Sequence, residues 1–217
     1  LAKNSSLKVN RLLSFYFDKG KIKSVIQIGA NDGVSFDELN YFIKKHKVNS
    51  LLVEPIKENF DLLKKNYRDF EFIKLENSAI SVNNEFTHLY KVATEFVKIY
   101  DHHIPAIPSF NINHLTDHGV KKKHITKEKV NSISINDLFK KYSIKELDLF
   151  YVDAEGYDGK IVYDFLLNIQ VRPLIIFEYI HIENDLLEKI TLKLLDKNFL
   201  YFQIEENLFC LPKEKFL

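Results

Sequence analysis

Residues 24–33, SVIQIGANDG, constrain the fold more than any other stretch of the chain. A short apolar run ends at Gly29, and a second glycine follows at Gly33. Continuous branched apolar residues are typical of a buried parallel strand, and a residue without a side chain lets the backbone approach a ligand closely. The pattern therefore predicts a strand, a turn and a helix start, and the free amide groups of that helix start favour an anionic group.

A second apolar run, residues 50–54 (SLLVE), ends in the carboxylate of Glu54. It follows the glycine turn at the spacing of a βαβ unit, about twenty residues further on. An acidic side chain at this place can accept hydrogen bonds from both hydroxyl groups of a ribose. Glu54 thus predicts that the turn belongs to a pocket for a nucleoside-type ligand.

The spacing of the glycines argues against a dinucleotide. Turns that hold a pyrophosphate carry G-x-G-x-x-G, whereas Gly29 and Gly33 give only G-x-x-x-G. A looser turn beside Asp32 suits the zwitterionic tail of S-adenosylmethionine, which has an ammonium group and no pyrophosphate. The alternative is an ordinary strand-to-helix turn without a ligand, and Glu54 favours binding over it.

The composition indicates one domain, spanning residues 1–217, without an obligatory macromolecular partner. The chain is 46% apolar and has few glycines and prolines, which is enough to bury one sizeable core. Its formal net charge is +1, so we expect neither nucleic acid nor a membrane as a partner. The lone Cys210 excludes an internal disulfide. No apolar stretch has the length of a membrane span and the first residues lack a signal-peptide core, so we expect a cytoplasmic protein.

The hydrophobic periodicity predicts an α/β fold. An amphipathic helix within residues 1–20 precedes five strand-helix alternations, and an antiparallel hairpin closes the chain near its C-terminus. This order predicts a doubly wound, mostly parallel sheet with helices on both faces. Ligands bind at the carboxyl ends of such strands, where the pattern puts a set of small or acidic residues: Gly29, Glu54, Ser78, Asp153 and Glu178.

Residues 94–129 show no periodicity and are too long for a simple connection, so we interpret them as a lid or substrate-binding insertion. The segment is rich in histidine: His102, His103, His114, His118 and His124. His114 and His118 have a spacing used for zinc, but the H-E-x-x-H glutamate and a third ligand are missing, so no metal site is predicted. Residues 121–123, three lysines, either meet an acidic acceptor or face solvent.

Five motifs resemble the FkbM-type S-adenosylmethionine-dependent methyltransferases, a family with the class I, Rossmann-like fold. They are VIQIGANDG with Asp37 beyond it, LLVEP, NSAIS, DLFYVDAEGYD and LIIFEY, and together they cover residues 24–178. The resemblance implies a cofactor, S-adenosylmethionine, and an acceptor hydroxyl on a sugar, a glycan or a secondary metabolite. A small-molecule or carbohydrate partner is therefore expected, whereas the oligomeric state stays open.

The resemblance also implies roles for individual residues. Gly29, Asn31 and Gly33 would hold the methionine part of the cofactor, Glu54 the ribose, and Ser78 with Ala79 would border the adenine. Gln27 departs from the fold's usual pattern, because many such enzymes carry an acidic residue there that reaches towards the methionine ammonium group. Asp32 is the residue expected to compensate for it.

Methyl transfer to a hydroxyl needs a base for the proton and close positioning of both reactants. Asp153 is the first candidate for this base and Glu155 the second, because both match the acidic pair of the family's D-x-E-G signature. Glu178 and His181 are candidates for orienting the acceptor or relaying the proton. The alternatives are that Asp153 or Glu155 only caps the next helix and that His181 is a surface residue. At the level of the whole chain, the alternatives are a non-catalytic binding module of the same fold and an NAD-dependent oxidoreductase.

Overall fold

The computed structural model describes residues 8–35, 37–82, 88–101, 104 and 107–215. Across these residues the α-helices are α1 (Val9–Asp18), α2 (Asn40–His46), α3 (Lys57–Asn66), α4 (Ile112–Asp117), α5 (Ile135–Lys141), α6 (Asp158–Asn168) and α7 (Asn184–Asp196). The strands are β1 (Ser24–Ile28), β2 (Asn49–Val53), β3 (Ile73–Glu76), β4 (Ala79–Ile80), β5 (His88–Val92), β6 (Ile125–Lys129), β7 (Ser132–Ile133), β8 (Leu149–Val152), β9 (Leu174–Glu178), β10 (Phe199–Ile204) and β11 (Asn207–Pro212).

The main sheet has seven strands in the order β10-β11-β9-β8-β1-β2-β3. Strands β1, β2, β3, β8 and β9 run parallel, whereas β11 is antiparallel to both of its neighbours. This topology confirms the predicted doubly wound sheet with a C-terminal antiparallel hairpin. The strand order reverses between β1 and β8, and the crevice beyond such a switch point is where ligands bind in open α/β sheets.

Helices cover both faces of the sheet, as predicted. On one face, a buried cluster joins Phe150 of β8 and Phe177 of β9 to Leu138 of α5, Phe165 of α6 and Leu194 of α7. The opposite cluster joins the alternate residues of the same strands to helices α1, α2 and α3. Each large buried side chain contributes about 2 to 3 kcal/mol of transfer free energy, so the two clusters hold the strand ends rigidly in register.

The region between β4 and β7 is built of short elements. β5 and β6 form a separate antiparallel two-stranded sheet, and a 3-10 helix (Thr94–Ile99) and α4 lie between them in sequence. A small cluster of buried apolar residues holds these pieces together: Val92, Ile104, Leu115 and Val120. The described part of residues 94–129 is therefore ordered in pieces too short to show a period. His102 and His103 lie outside the described residues.

None of the described helices is long and apolar enough to cross a bilayer.

Candidate active site

A cavity of about 530 Å³ lies at the carboxyl ends of the parallel strands. Most of the residues singled out in the sequence line it: Gln27, Gly29, Asn31, Glu54, Ser78, Ala79, Asp153, Glu155, Glu178 and His181. Part of the 94–129 segment forms another wall, through Ile107, Pro108, Phe110 and His118. Asp32 and Gly33 are not among the lining residues. The sheet thus brings residues far apart in sequence into one cleft.

The backbone around residue 29 leaves room only for a glycine. Its φ is +81°, and a Cβ atom at this position would overlap the carbonyl oxygen of Asp153. The amide of Asp153 in turn donates to the carbonyl of Ile28 at 3.0 Å, which ties the ends of β1 and β8 together. Glycine is needed here for the close approach of two strand ends, whatever the cavity holds.

Asp32 and Gly33 serve the loop that follows β1. The Asp32 carboxylate accepts from the amides of Val34 at 2.9 Å and Ser35 at 2.7 Å, and thereby closes its own turn. A Cβ atom on Gly33 would lie 2.5 Å from atoms of Leu63 and Tyr67 on the α3 side. The expectation that a helix starts directly after Gly33 is wrong, because α2 begins only at Asn40. The first residue of α2 still contacts the turn, because the side-chain amide of Asn40 donates to the carbonyl of Gly33.

Glu54 is fixed at the end of β2. Its side chain is buried, and its two oxygens accept from the amides of Asn31 at 3.0 Å and Ile56 at 2.8 Å. Burial raises the pKa of Glu54 to about 7, although these two amides act in the opposite direction. A carboxylate oxygen has a second lone pair, so Glu54 can still accept hydrogen bonds from a ligand in the cavity.

Gln27 lies in the cavity wall with one polar atom unused. Its Nε2 donates to Asp37 Oδ1 at 3.2 Å, whereas its buried Oε1 has no hydrogen-bond partner among the described residues. Glu38 lines the cavity as well, and it accepts from the hydroxyl of Tyr151 at 3.1 Å. An unpaired carbonyl oxygen beside two carboxylates suits a group that carries N–H donors and a positive charge.

Glu38 was not predicted from the sequence as a site residue, and Asp37 was named only as part of a family motif. The available signal was a pair of adjacent acidic residues shortly after the glycine turn. Because α2 starts late, the loop before it is long enough to bring both carboxylates back to Gln27. In this structure Asp37 and Glu38, rather than Asp32, provide the acidic side chains near Gln27.

Asp153, Glu155 and Glu178 lie together at the ends of β8 and β9. Burial and the neighbouring Glu155 raise the pKa of Asp153 well above its ordinary value. Burial, with a contribution from Asp158, raises the pKa of Glu155 to about 8. Burial also raises the pKa of Glu178 to about 7, and Asp158 and Glu155 add to the shift. These shifts favour the protonated carboxyl groups in the ligand-free protein, and a bound cation would favour the ionised ones.

The turn between β8 and α6 is organised by Asp158. This carboxylate is almost fully buried and accepts from the amides of Ala154 at 3.1 Å and Gly156 at 3.2 Å. Neither Asp153 nor Glu155 caps α6, whose N-cap residue, Tyr157, makes no side-chain cap hydrogen bond. The carboxylates of Asp153 and Glu155 are thus left to face the cavity.

Three histidines gather at the same end of the cavity. His114 Nε2 lies 3.2 Å from Glu155 Oε2, and His181 Nε2 lies 3.9 Å from Glu178 Oε2. The ring centroids of His118 are 4.6 Å from His114 and 5.7 Å from His181. No group of three metal-ligating side chains is arranged to hold an ion in the part of the chain that the structure describes. His124 is elsewhere, stacked on Phe96.

The described lining of the cavity is acidic. It contains no lysine or arginine, and residues 121–123 do not take part in it. Its carboxylates come from seven residues: Asp37, Glu38, Glu54, Asp153, Glu155, Glu178 and Glu206. With no lysine or arginine in the described lining to balance them, these groups favour a ligand that brings positive charge.

Comparison of the sequence with known protein families shows which family the chain belongs to. The sequence profile described as "Methyltransferase FkbM domain" matches residues 27–201. The chain belongs to the FkbM methyltransferase family. The matched range contains every site residue predicted from the sequence, from Gln27 to His181, whereas Glu206 lies beyond it. The family assignment confirms the resemblance seen in the motifs.

Solved structures agree on the methyltransferase fold. The methyltransferase FkbM from Methylobacillus flagellatus KT is 14% identical, with a TM-score of 0.50, over 91% of this chain and 47% of that one. A structure described as "METTL16 MTase domain" is 13% identical, also with a TM-score of 0.50, over 93% of this chain and 65% of that one. The chain thus spans less than two thirds of either protein. A comparison with curated proteins found no significant match.

Proposed function

We propose that the protein is an S-adenosylmethionine-dependent O-methyltransferase that acts on a hydroxyl group of a sugar, a glycan or a secondary metabolite. The observation that carries this proposal is the buried Oε1 of Gln27, which has no partner among the described residues and lies beside Asp37 and Glu38 in the cavity wall. The ammonium group of a methionine tail fits this place, because it supplies donors to the free oxygen and charge to the carboxylates.

The other residues of the cavity fit the rest of the cofactor. Glu54 would hold the ribose through the lone pairs that its two backbone contacts leave free, while Ser78 and Ala79 would border the adenine. Asp153 and Glu155 would then lie on the side of the sulfonium. Their mutual repulsion falls when a positive charge binds between them, so the acidic cluster favours the sulfonium over an uncharged thioether.

When bound, the cofactor supplies an electrophilic methyl group on a positively charged sulfur. The protein's own contribution is to hold this methyl in line with an acceptor oxygen and to exclude water, which together account for much of the rate in such transfers. It must also provide a place for the hydroxyl proton. The imidazoles and carboxylates at the ends of β8 and β9 offer several such places.

The charge of the lining also bears on the acceptor. A phosphorylated or carboxylated acceptor would have to approach Asp153, Glu155 and Glu178 without a lysine or arginine in the described lining. Like charges at such distances oppose binding by several kcal/mol in a partly buried site, about 4 at a separation of 4 Å. A neutral or cationic hydroxylated acceptor therefore fits best.

The same charge argues against an NAD-dependent oxidoreductase. The pyrophosphate of NAD would face this acidic lining without an amide cradle, because α2 does not start at the glycine turn. A binding module without activity would use the same cluster to hold a cationic ligand, so the transfer assay decides between such a module and an enzyme.

A labelled-methyl assay tests the proposal. The protein is incubated with methyl-labelled S-adenosylmethionine and a matched set of acceptors: a hexose, its 2-amino derivative, its 6-phosphate and its uronic acid. We expect label on an oxygen of the neutral or the amino sugar, with the position assigned by NMR. Label on nitrogen would contradict O-methylation, and transfer only to the phosphate or the uronate would contradict the charge argument. Loss of label on addition of S-adenosylhomocysteine controls for specific transfer.

A further inference from the structure

His118 has a feature that the proposed function does not yet use. The residue follows α4, lines the cavity, and is partly buried. Its Nδ1 lies 2.8 Å from the backbone carbonyl oxygen of His114. The two neighbouring rings, those of His114 and His181, contact it from different directions at centroid distances of 4.6 and 5.7 Å. The imidazole is therefore held in one orientation before any ligand binds.

The contact with the carbonyl decides where the proton of this imidazole lies. A carbonyl oxygen can only accept a hydrogen bond, so Nδ1 must carry the hydrogen. In a neutral imidazole the other nitrogen is then an unprotonated acceptor. No described residue forms a hydrogen bond with Nε2 of His118, so its lone pair is available at the cavity wall.

We propose that Nε2 of His118 is the general base of the transfer reaction. The proposal rests on the proposed function. The acceptor oxygen forms a bond to the methyl carbon while the bond between that carbon and the sulfur breaks, with the electron pair remaining on the sulfur. The hydroxyl proton moves to Nε2, and His118 becomes an imidazolium whose Nδ1–H stays bonded to the carbonyl of His114.

The other titratable groups at this end of the cavity are less suited to the task. His114 is buried against Glu155, and burial lowers its pKa. Burial lowers the pKa of His181 too, and the neighbouring His114 adds to the shift. These shifts favour the neutral form of both rings, and a neutral ring does not repel a positive charge on His118. The carboxylates of Glu155, Glu178 and Glu206 line the same cavity and favour that charge.

Asp153, the first candidate from the sequence, is the main competitor. Burial and the neighbouring Glu155 raise its pKa well above the ordinary value, so it holds its proton more firmly than an exposed carboxylate does. A bound sulfonium favours the ionised form of Asp153, and proton uptake by this carboxylate would end that pairing of charges. Asp153 therefore acts by balancing the sulfonium and orienting the acceptor, and the proton goes to the neutral nitrogen of His118.

One experiment tests the tautomer without any acceptor. Imidazole nitrogens of the ¹⁵N-labelled protein are observed by long-range proton-nitrogen NMR at neutral pH, and the His118→Asn variant assigns the signals. We expect His118 with a protonated Nδ1 and an unprotonated Nε2. A proton on Nε2 in the neutral ring would overturn the proposal, whether or not the protein proves to be a methyltransferase.

A second experiment tests the role with the best acceptor from the labelled screen. His118→Asn is the informative change, because the asparagine amide can keep the hydrogen bond to the carbonyl of His114 while Nε2 is removed. We expect the single-turnover rate to fall about 100- to 10,000-fold, the range for loss of a general base. Affinity for S-adenosylhomocysteine should stay within about twofold. Added imidazole should restore part of the rate in His118→Ala.

Controls separate a catalytic role from a structural one. His46→Gln removes a histidine that pairs with Asp18 on the surface and does not line the cavity, so its transfer rate should be that of the unchanged protein. An unchanged rate in His118→Asn would overturn the proposal. So would a fall in rate that is matched by an equal fall in cofactor affinity or by a large loss of melting temperature. Failure of the unchanged protein to bind S-adenosylhomocysteine would instead overturn the proposed function.

Discussion

The carbonyl oxygen of Asp153 fills the space that a Cβ atom on residue 29 would need. The ends of β1 and β8 meet at this point, and the Asp153 amide donates to the carbonyl of Ile28 at 3.0 Å. The same contact that closes the sheet at its switch point therefore sets the position of the Asp153 side chain in the cavity. The junction between β1 and β8 thus contributes both to the sheet and to the candidate active site.

This contact predicts that Gly29→Ala is strongly destabilising. The new methyl group would collide with backbone, which cannot move aside as a side chain can, and we expect a loss of about 3 kcal/mol or more in the free energy of unfolding. Gly119→Ala is the matched control, because Gly119 also has a positive φ, +83°, but no atom within 4 Å of the added Cβ. Its cost should be about 1 to 2 kcal/mol, from backbone strain alone. Equal losses by denaturant titration would contradict the account.

The change Glu54→Gln should lower both the stability of the protein and its affinity for the cofactor. One of the amides of Asn31 and Ile56 would lose its carboxylate acceptor, at a cost of about 1 to 3 kcal/mol in stability. Affinity for S-adenosylhomocysteine should fall by about 1 to 3 kcal/mol, from weaker hydrogen bonds to the ribose.

The ribose contact is isolated by pairing this variant with a ligand that lacks the 2′-hydroxyl. The unchanged protein should bind the 2′-deoxy analogue more weakly than S-adenosylhomocysteine, whereas Glu54→Gln should distinguish the two much less. Glu58→Gln, an exposed position in α3, is the control and should behave as the unchanged protein. If Glu54→Gln retained full discrimination, the ribose would lie elsewhere.

The acidic cluster predicts an unusual pH dependence of stability. Burial raises the pKa of Glu155 to about 8 and of Glu178 to about 7, whereas the same side chains titrate at about 4.3 in an unfolded chain. Between these values the folded protein binds more protons than the unfolded chain does, so its stability falls as the pH rises through this window. The melting temperature of the ligand-free protein should therefore decrease from about pH 5 to about pH 8.

Ligand binding should reverse this trend, because a bound sulfonium favours the ionised carboxylates. S-adenosylmethionine should bind more tightly as the pH rises and release protons on binding, and S-adenosylhomocysteine, which lacks the sulfonium, should release fewer. Calorimetry in two buffers of different ionisation enthalpy counts these protons. A melting temperature that rises with pH over the same window would contradict the burial and proximity of Asp153, Glu155 and Glu178. Equal proton release by both ligands would show that the sulfonium does not bind beside these carboxylates.

The topology and the strand-end residues could be predicted because each depends on local sequence. Apolar runs of four or five residues identify the parallel strands, and the side chains that follow them must emerge at the same edge of the sheet. Glu54, Asp153 and Glu178 were therefore found without coordinates. Gly33 was assigned to the cofactor, but its missing side chain makes room for Leu63 and Tyr67.

The remainder of the site depends on tertiary packing that leaves no local pattern. His118 lies beside His181 because a six-residue helix, α4, packs against β5 through Leu115 and Val92. A helix of this length has less than two turns, so it leaves no hydrophobic period in the sequence, and residues 94–129 were predicted to be irregular. Glu38 was missed for a related reason, since the length of the loop before α2 decides where its carboxylate points.

The central claim is that the cavity binds S-adenosylmethionine and its demethylated product rather than a dinucleotide. Calorimetric titration of the purified protein with S-adenosylmethionine, S-adenosylhomocysteine and NAD tests it directly. The account predicts one site per chain for the first two ligands, and no displacement of S-adenosylhomocysteine by NAD. Tighter binding of NAD than of S-adenosylhomocysteine would contradict it.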